Sequence, residues 1–322
     1  MEYVYINSTG LKISRMCLGT MTFGGQTEEA QSVEMIDYAV DNGVNFIDTA
    51  NIYTKGESER IVGKALNGKR DDIVLATKVR GPVNMQPNNM GLGRKHILKS
   101  VEDSLKRLNT DYIDILYMHS PDPTVSFEDA IETMTMLVRS GKVRYYGVSN
   151  FAAWQFCSLV HKAKEMCAVA PVLTQSVYNT LTRGIEDELV PFIKEYNKAL
   201  TVFNPLAGGL LTGKHTREKT VENTRFSLEK GYADRYQTDK NYDALEKLKL
   251  VSEKYGMCMT ELAYKWLCSK EYVNSLICGV SKFEQLKQNI SFFDDTLPNA
   301  EMIAECDEAW DILKGNYFNY HR

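Results

Sequence analysis

Residues Ile73–Met118 contain two short apolar runs, IVLAT at Ile73–Thr77 and IDILYM at Ile113–Met118, with HILKSVEDSLKRL at His96–Leu108 between them. The apolar side chains of the middle segment recur at helical spacing. The flanking runs are short, continuous and rich in β-branched residues, which is typical of buried strands. Because parallel strands need a crossover connection, usually a helix, the stretch predicts a strand–helix–strand unit with parallel strands.

The same alternation extends along the whole chain. The apolar runs are Met16–Gly19, Val44–Asp48, Ile73–Thr77, Ile113–Met118, Val143–Val148, Val172–Gln175, Leu200–Phe203 and Ser275–Cys278. The intervals between them are similar, except for the last, which is longer. Eight strand–helix repeats with short buried strands predict an α/β fold of the (β/α)8 or TIM-barrel type.

An open, doubly wound sheet is the structural alternative. That fold normally carries G-x-G-x-x-G after an early strand. The nearest match, Gly91-Leu92-Gly93, has His96 in place of the third glycine and follows no predicted strand. The barrel is therefore favoured.

Two segments fall outside the alternation. Met1–Ser14 reads as an N-terminal β-hairpin, which we expect to close the bottom of the barrel. Leu206–Lys240, after strand seven, is polar with little periodicity and predicts a long loop, of a length that is often functional. No linker, repeat or low-complexity tract is visible, so we expect a single domain over residues 1–322.

Helix starts are marked by polar residues. Thr27 precedes a helical pattern that should end at Gly43. Ser126 with Asp129, and Ser281 with Glu284, resemble capping boxes.

Charge and cysteine content narrow the functional classes. The net charge is −4 and the pI about 5.9, whereas nucleic-acid and anionic-membrane partners favour clustered Lys and Arg. We expect neither partner. The seven cysteines include no C-x-x-C pair, and with no signal-peptide pattern visible they fit reduced thiols in a cytoplasmic protein. The sequence gives no indication of an oligomeric state.

Polar residues with catalytic potential follow three consecutive predicted strands. Asp48 ends the second strand and Tyr53 lies in the loop beyond it, while Lys78 and His119 follow the third and fourth strands. Parallel barrels keep their active sites at this end of the strands. Each residue alone is compatible with a structural role, but their convergence on one rim indicates a catalytic site.

The chain resembles the aldo-keto reductase family over nearly its whole length. The resemblance rests on GTMTFGG at Gly19–Gly25, FIDTANIYTKGESERIVGKAL at Phe46–Leu66, ATK at Ala76–Lys78, YMHSPDP at Tyr117–Pro123, GKVRYYGVSNF at Gly141–Phe151, NPLAGGLLTGK at Asn204–Lys214 and GVSKFEQLKQNI at Gly279–Ile290. In this order and spacing the motifs are highly specific. The resemblance implies an NAD(P)H-dependent oxidoreductase that reduces a small-molecule aldehyde or ketone.

The resemblance also implies a catalytic tetrad of Asp48, Tyr53, Lys78 and His119. Tyr53 would be the general acid, with a phenol pKa that the Lys78 ammonium lowers from about 10. Asp48 would pair with Lys78. His119 would donate to the substrate oxygen, and the sequence does not show whether it is charged.

The family's cofactor contacts fall on three groups of residues. Ser149, Asn150 and Gln175 would hold the nicotinamide carboxamide, and Leu206, Gly208 and Leu210 would lie in the loop over the pyrophosphate. The adenosine end would be bound by Gly279, Ser281, Lys282, Gln285, Gln288 and Asn289. A helix that starts at Ser281 beside Lys282 would attract the additional phosphate of NADPH, so we expect NADPH to be preferred over NADH. The preference should be modest, because many NADPH-specific relatives carry Arg where this chain has Gln285. No metal-ligand spacing is present, and we expect no metal.

Two other functions remain open at this stage. Lys78 could form a Schiff base in a barrel lyase, or the chain could be a non-enzymatic cofactor-binding regulatory subunit. A nucleotide triphosphatase is disfavoured, because the P-loop-like Gly208–Lys214 is followed by His215 and not by Ser or Thr. The substrate is not readable, although apolar loop residues could line its pocket: Met21, Phe23, Ile52, Met85, Tyr317 and Phe318.

Overall fold

The computed structural model describes residues 1–82, 86–222, 224–294, 296 and 299–315. Eight parallel strands form a closed barrel, in which the last strand pairs with the first. A two-stranded antiparallel hairpin, β1 (Tyr3–Tyr5) and β2 (Lys12–Ser14), precedes it. The barrel strands are β3 (Met16–Gly19), β4 (Phe46–Asp48), β5 (Val74–Val79), β6 (Ile113–Met118), β7 (Val143–Ser149), β8 (Leu173–Val177), β9 (Ala199–Phe203) and β10 (Ser275–Gly279).

Helices surround the barrel. They are α1 (Glu29–Asp41), α2 (Glu57–Ala65), α3 (Arg94–Leu108), α4 (Phe127–Arg139), α5 (Ala153–Glu165), α6 (Leu189–Glu195), α7 (Arg225–Leu228), α8 (Lys230–Tyr236), α9 (Asp239–Lys254), α10 (Met259–Cys268), α11 (Phe283–Ser291) and α12 (Ala300–Lys314). Short 3-10 helices span Tyr53–Gly56, Arg70–Asp72, Gly184–Glu186 and Ala207–Thr212. In the described ranges no helix combines the length and apolarity that crossing a membrane requires.

The strands are apolar because both of their faces are buried. Alternate side chains such as Phe46, Ala76 and Ile115 fill the barrel interior, while their strand neighbours pack against the helices. Ile6 and Ile13 of the hairpin segment join the interior cluster, so the hairpin covers one end of the barrel. The expected barrel, the N-terminal hairpin and the position of the long segment after strand seven are confirmed.

The long segment Leu206–Lys240 contains short helices that the sequence analysis did not predict. It is not an unstructured loop, because it contains the 3-10 helix Ala207–Thr212 and the short helices α7 and α8. Two of its buried side chains, Phe226 and Tyr236, lie on helices of at most seven residues, which are too short to display a helical period.

Helix starts agree in part with the capping signals. The Ser126 side chain caps α4 by accepting from the Asp129 backbone N–H at 3.2 Å, as predicted. Helix α1 begins at Glu29, directly after Glu28, and ends at Asp41, before Gly43, which has a positive φ of 86°. The pattern that begins after Thr27 is therefore confirmed as a helix.

A buried ion pair fixes α2 against α3 and β5. The Glu59 carboxylate is fully buried, and it accepts from Thr77 Oγ1 at 2.6 Å and from Arg107 Nε at 2.6 Å. Thr77 directly precedes Lys78, so the pair also fixes the end of the strand that leads to the site. The helices approach closely because residue 63 is glycine: a Cβ there would lie 2.5 Å from the Leu108 backbone.

We expect Arg107→Met to lower the free energy of unfolding by about 3 kcal/mol, because it leaves a buried carboxylate without its cation. Chemical denaturation measures the loss. The double variant Glu59→Gln/Arg107→Met should recover part of it, since the uncompensated charge is gone. An unchanged denaturation midpoint for Arg107→Met would show that the pair does not stabilise the fold.

Candidate active site

Four polar side chains meet at the carboxyl end of the barrel. Asp48 is the last residue of β4, Lys78 lies near the end of β5, and His119 directly follows β6. Tyr53 opens the 3-10 turn beyond β4. The structure thus brings together all four residues that the sequence singled out.

Lys78 is the centre of the cluster. Its ammonium is fully buried and donates to the Asp48 carboxylate, to the Thr49 carbonyl at 2.8 Å and to the Tyr53 hydroxyl at 3.2 Å. The Tyr53 ring stands edge-to-face to the His119 ring, with centroids 6.2 Å apart.

Asp48 is held from the opposite side of the barrel. Gln175, on β8, donates through Nε2 to the second carboxylate oxygen of Asp48 at 2.9 Å. Both oxygens of the buried carboxylate therefore have partners, as a buried anion requires.

A strained turn presents Tyr53. Thr54 and Lys55, which follow it, have φ values of 46° and 59°, a left-handed conformation that is costly for a β-branched residue. Thr54 Oγ1 stabilises the turn by donating to the Phe23 carbonyl at 2.8 Å and accepting from the Ser58 N–H at 3.0 Å. Strain of this kind concentrates at functional sites.

The environment keeps Lys78 charged. Burial alone lowers the pKa of its ammonium, but the Asp48 carboxylate and the Tyr53 hydroxyl outweigh burial, so the pKa lies above its usual value. A lysine that attacks a carbonyl as an amine needs the opposite shift.

The Tyr53 phenol keeps its proton more firmly than a free tyrosine. Burial raises its pKa more than the nearby Lys78 charge lowers it. The expected lowering by Lys78 is therefore real, but in this structure it is the smaller effect.

His119 is neutral. Burial, together with the positive charges of Lys78 and Arg80, lowers the pKa of its imidazole to about 3. Near neutral pH the ring can donate through only one nitrogen.

The residues expected at the nicotinamide end lie beside this cluster. Ser149 ends β7, Gln175 is its partner in the β7–β8 register, and Asn150 follows with a φ of 60°. The Asn150 amide donates to the His119 carbonyl at 2.9 Å and to Ser149 Oγ at 3.1 Å. These contacts tie the end of β7 to the end of β6.

The loop after β9 is a compact 3-10 turn. Gly208 has a φ of 69° and donates from its N–H to Asn204 Oδ1 at 2.6 Å, and a Cβ there would lie 2.9 Å from the Phe226 ring. Leu206 begins the turn, whereas the Leu210 side chain is buried in the core. Glycine is thus required at position 208 both by its conformation and by the close approach of α7.

Lys214 and His215, next to this turn, were missed by the sequence analysis as candidate cofactor contacts. Burial and the Lys282 charge lower the pKa of Lys214. His215 is buried, and its Nδ1 accepts from the Val221 N–H at 3.3 Å. Its Nε2 is buried, has no hydrogen-bond partner in the part of the chain that the structure describes, and lies 3.9 Å from where a Cβ on Gly209 would be.

The start of α11 differs from the prediction. Lys282, not Ser281, precedes the first helical residue, so the expected capping box of Ser281 with Glu284 is wrong. The Gln285 side-chain carbonyl accepts from the backbone N–H groups of Ser281 at 3.0 Å and Lys282 at 3.2 Å. The helix start is therefore capped by a side chain from inside the helix, because Gln285 reaches back to the N–H groups that precede it.

The other residues expected around the adenosine end lie on the same elements. Gly279 ends β10 and is exposed, Gln288 is exposed on α11, and Asn289 is buried on the inner face of that helix.

These residues fit a dinucleotide. The Lys214 ammonium lies beside the glycine turn, 3.7 Å from where a Cβ on Gly209 would be, and burial and the Lys282 charge lower its pKa. An anion bound there would stabilise this positive charge. The unpartnered His215 Nε2 beside Gly209 offers a further polar contact. In the described ranges no group of three His, Cys, Asp or Glu side chains could hold a metal ion.

The apolar residues expected around the substrate are only partly described. Met21 is exposed at the rim, whereas Phe23 is fully buried in the core and packs the loop. Ile52 is half-buried and lies against Gly81. Met85, Tyr317 and Phe318 lie outside the described residues.

Fold and site together define a (β/α)8 protein with an Asp–Lys–Tyr–His cluster at the catalytic end of the barrel. A family model described as the aldo/keto reductase family matches residues 15–311. The chain belongs to the aldo/keto reductase family.

Curated relatives cover nearly the whole chain. "Uncharacterized oxidoreductase YrpG" of Bacillus subtilis is 38% identical over 315 residues, which cover 92% of each chain. "Aldo-keto reductase YhdN" of the same organism is 37% identical over 297 residues, covering 89% of this chain and 87% of the relative. "Probable voltage-gated potassium channel subunit beta" of Arabidopsis thaliana is 34% identical over 303 residues, covering 91% and 92% respectively. The chain is thus similar both to oxidoreductases and to a protein named as a channel subunit.

The neutral state of His119 has a consequence for stability. The imidazole binds a proton near pH 6.5 as a free group but only near pH 3 in the folded protein, so between these values the unfolded chain binds more protons. The free energy of unfolding should therefore fall as the pH is lowered through this window, by at most about 1.4 kcal/mol per pH unit for this residue. We expect the stability advantage of wild type over His119→Asn to shrink between about pH 7 and about pH 5.

Urea denaturation of both proteins across this range measures the difference. Above about pH 7 the difference should not depend on pH, because the imidazole is then neutral in both states. A pH-independent difference across the whole range would contradict the low pKa of His119.

Proposed function

We propose that the protein is an NAD(P)H-dependent reductase that converts a small-molecule aldehyde or ketone to an alcohol. The observation that carries the proposal is the contact of the buried Lys78 ammonium with both the Asp48 carboxylate and the Tyr53 hydroxyl. Reduction of a carbonyl needs a hydride and a proton, and this arrangement is suited to supplying the proton.

Tyr53 is the proposed general acid. Its phenol is protonated near neutral pH, so the proton is present when the carbonyl oxygen gains negative charge. The phenolate left behind would lie 3.2 Å from the Lys78 ammonium, which stabilises it in a site of low dielectric constant. Asp48 keeps Lys78 charged and in place.

His119 is proposed to orient the carbonyl. A neutral imidazole can donate one N–H to the substrate oxygen without adding a second positive charge beside Lys78. The edge-to-face contact of its ring with Tyr53 supports a shared role of the two residues at the carbonyl oxygen.

The dinucleotide would supply the hydride when bound, and the chain would position it. Ser149, Asn150 and Gln175 would hold the carboxamide of the nicotinamide. Leu206, Gly208 and Leu210 would follow the pyrophosphate, next to Lys214 and His215. Gly279, Ser281, Lys282, Gln285, Gln288 and Asn289 would bind the adenosine end. The free cysteines fit a reducing compartment, and we propose a cytoplasmic location.

The two alternatives are less well supported. A Schiff-base lyase requires Lys78 as a free amine, which its raised pKa and its pairing with Asp48 disfavour. A role as a regulatory subunit is suggested by the name of the Arabidopsis relative. Binding of NADPH without turnover over a broad carbonyl panel would favour that role.

We expect Tyr53→Phe to lower kcat by at least ~100-fold, because the general acid is lost. The affinity for NADPH, measured by fluorescence titration, should barely change. Tyr196→Phe is the matched control, since that hydroxyl pairs with His161 on the outer helices. A deuterated cofactor must show that the chemical step limits the rate, because slow product release can mask the defect. If Tyr53→Phe then retains wild-type kcat, Tyr53 is not the acid.

We expect a preference for NADPH over NADH of less than ~100-fold, or under ~3 kcal/mol. Lys282 and Lys214 favour the additional phosphate of NADPH, but Gln285 adds no charge, and its side-chain carbonyl already caps α11. Arg at such a position could pair bidentately with a phosphate.

The measurement is kcat/KM for both cofactors in wild type, Lys282→Glu and Lys287→Glu. Lys282→Glu should abolish or reverse the preference by placing a negative charge beside the phosphate. Lys287→Glu makes the same change of charge further along α11, over the Phe283 ring, and should alter the preference much less. An NADH preference in wild type, or equal ratios in all three proteins, would contradict this account.

A further inference from the structure

We propose that Arg80 is a substrate-specificity residue that selects carbonyl compounds carrying an anionic group, either a carboxylate or a phosphate. This inference rests on the proposed reductase function and names the class of its substrate.

The strand register places Arg80 beside His119. Lys78 pairs with Tyr117 and Val79 with Met118 in the parallel β5–β6 ladder, so Arg80 and His119 are the next two neighbours along it. The backbone N–H of His119 donates to the Val79 carbonyl at 3.0 Å, and this hydrogen bond extends the ladder as far as His119. Neighbouring parallel strands lie about 4.8 Å apart, so the two residues start from adjacent backbone positions.

The charge of Arg80 acts on His119. Arg80 directly follows β5, two residues after Lys78, whose ammonium lies in the site. The Arg80 side chain is half-buried. After burial and Lys78, its positive charge contributes to the low pKa of the His119 imidazole, so the guanidinium lies within electrostatic reach of that ring.

The backbone of Arg80 is held in an unfavourable conformation. Its φ is 144°, a value that residues other than glycine rarely adopt. The Gly91 N–H fixes it by donating to the Arg80 carbonyl at 2.8 Å. Gly81, the next residue, packs so closely on Ile52 that a Cβ there would lie 2.2 Å from Ile52 Cγ2. The position of Arg80 is therefore set against the loop that presents Tyr53.

The guanidinium retains unused capacity to donate. Its Nε is buried and, among the described residues, has no hydrogen-bond partner, which is costly for a charged group. Asp122 lies close enough to be influenced by the Arg80 charge, but its two oxygens accept from the backbone N–H groups of Leu92 at 2.7 Å and Thr124 at 3.0 Å. The planar fork of an arginine matches a carboxylate or a phosphate in two parallel hydrogen bonds.

The positions of Arg80 and His119 indicate where the anionic group of a substrate would lie relative to its carbonyl. His119 and Tyr53 are proposed to hold the carbonyl oxygen, and Arg80 starts one strand away from His119. An anionic group a few bonds from the carbonyl carbon would reach the guanidinium while the carbonyl stays between the two donors. Neutral aldehydes would lack this contact.

The experiment compares pairs of aldehydes that differ mainly in charge. 4-Formylbenzoate and its methyl ester form the carboxylate arm, and glyceraldehyde 3-phosphate and glyceraldehyde form the phosphate arm. For each pair kcat/KM is measured with NADPH in wild type, Arg80→Met, Arg80→Lys and Arg144→Met. Arg144 lies near the start of β7, where it stacks on Tyr112, so its variant controls for the loss of one positive charge far from the mouth.

We expect wild type to prefer the anionic member of at least one pair. Arg80→Met should lower that preference by at least ~10-fold, because a hydrogen bond to a charged group is lost, while turnover of the neutral member is retained. Arg80→Lys should restore part of the preference, and Arg144→Met should leave it unchanged. The arm that shows the effect identifies carboxylate or phosphate as the recognised group.

Failure of this inference is distinguishable from failure of the proposed function. If wild type reduces the neutral aldehydes but shows no anion preference, or if Arg80→Met keeps the preference, Arg80 does not select the substrate and the reductase function stands. If wild type reduces none of the four aldehydes, the inference falls together with the function on which it rests. Met is used because, unlike Gly, it does not relax the strained φ.

Discussion

The buried ion pair of Lys78 with Asp48 is the interaction on which the site depends. Moving an ammonium and a carboxylate out of water is expensive, and their attraction offsets the cost only when the remaining hydrogen-bonding capacity is satisfied. The barrel meets this condition through the Thr49 carbonyl and the amide of Gln175, which comes from the opposite side of the barrel. Closure of the barrel is thus what makes a charged lysine tolerable at its mouth, because an open sheet would not bring β8 back to β4.

The same pair sets the protonation of its neighbours. Lys78 adds to burial in keeping His119 neutral, and it opposes burial at Tyr53. Burial keeps the Tyr53 phenol protonated while Lys78 limits the rise of its pKa, and burial together with Lys78 keeps the His119 imidazole neutral. These are the states that the proposed proton donation requires. Groups whose environments shift their pKa values in different directions are a common feature of acid–base sites.

The sequence predicted the strands and their ends well, because strands buried on both faces produce continuous apolar runs that stop where polar residues begin. Asp48, Lys78 and His119 could be located for that reason, and Tyr53 followed from the family motif. The sequence failed where tertiary contacts override local signals. At the start of α11, Gln285 caps the helix in place of the expected Ser281 and Glu284 pair, and the short helices α7 and α8 carry no readable period. His215 and Arg80 were overlooked because their unpartnered nitrogens become visible only in three dimensions.

Backbone strain is found beside the candidate catalytic residues. Among the described residues with positive φ, Asn109, Cys167 and Asn197 lie at or just after helix ends, where a left-handed residue is an ordinary way to stop a helix. Thr54, Lys55 and Arg80 have no such explanation, since they lie at the carboxyl end of the barrel, close in sequence to Tyr53 or to the strand beside His119. Asparagine tolerates this conformation through its short polar side chain, whereas threonine, lysine and arginine gain nothing from it. A fold that maintains three such residues beside the proposed proton donors holds those donors in position, and the strain is the cost of fixing where the carbonyl oxygen would lie.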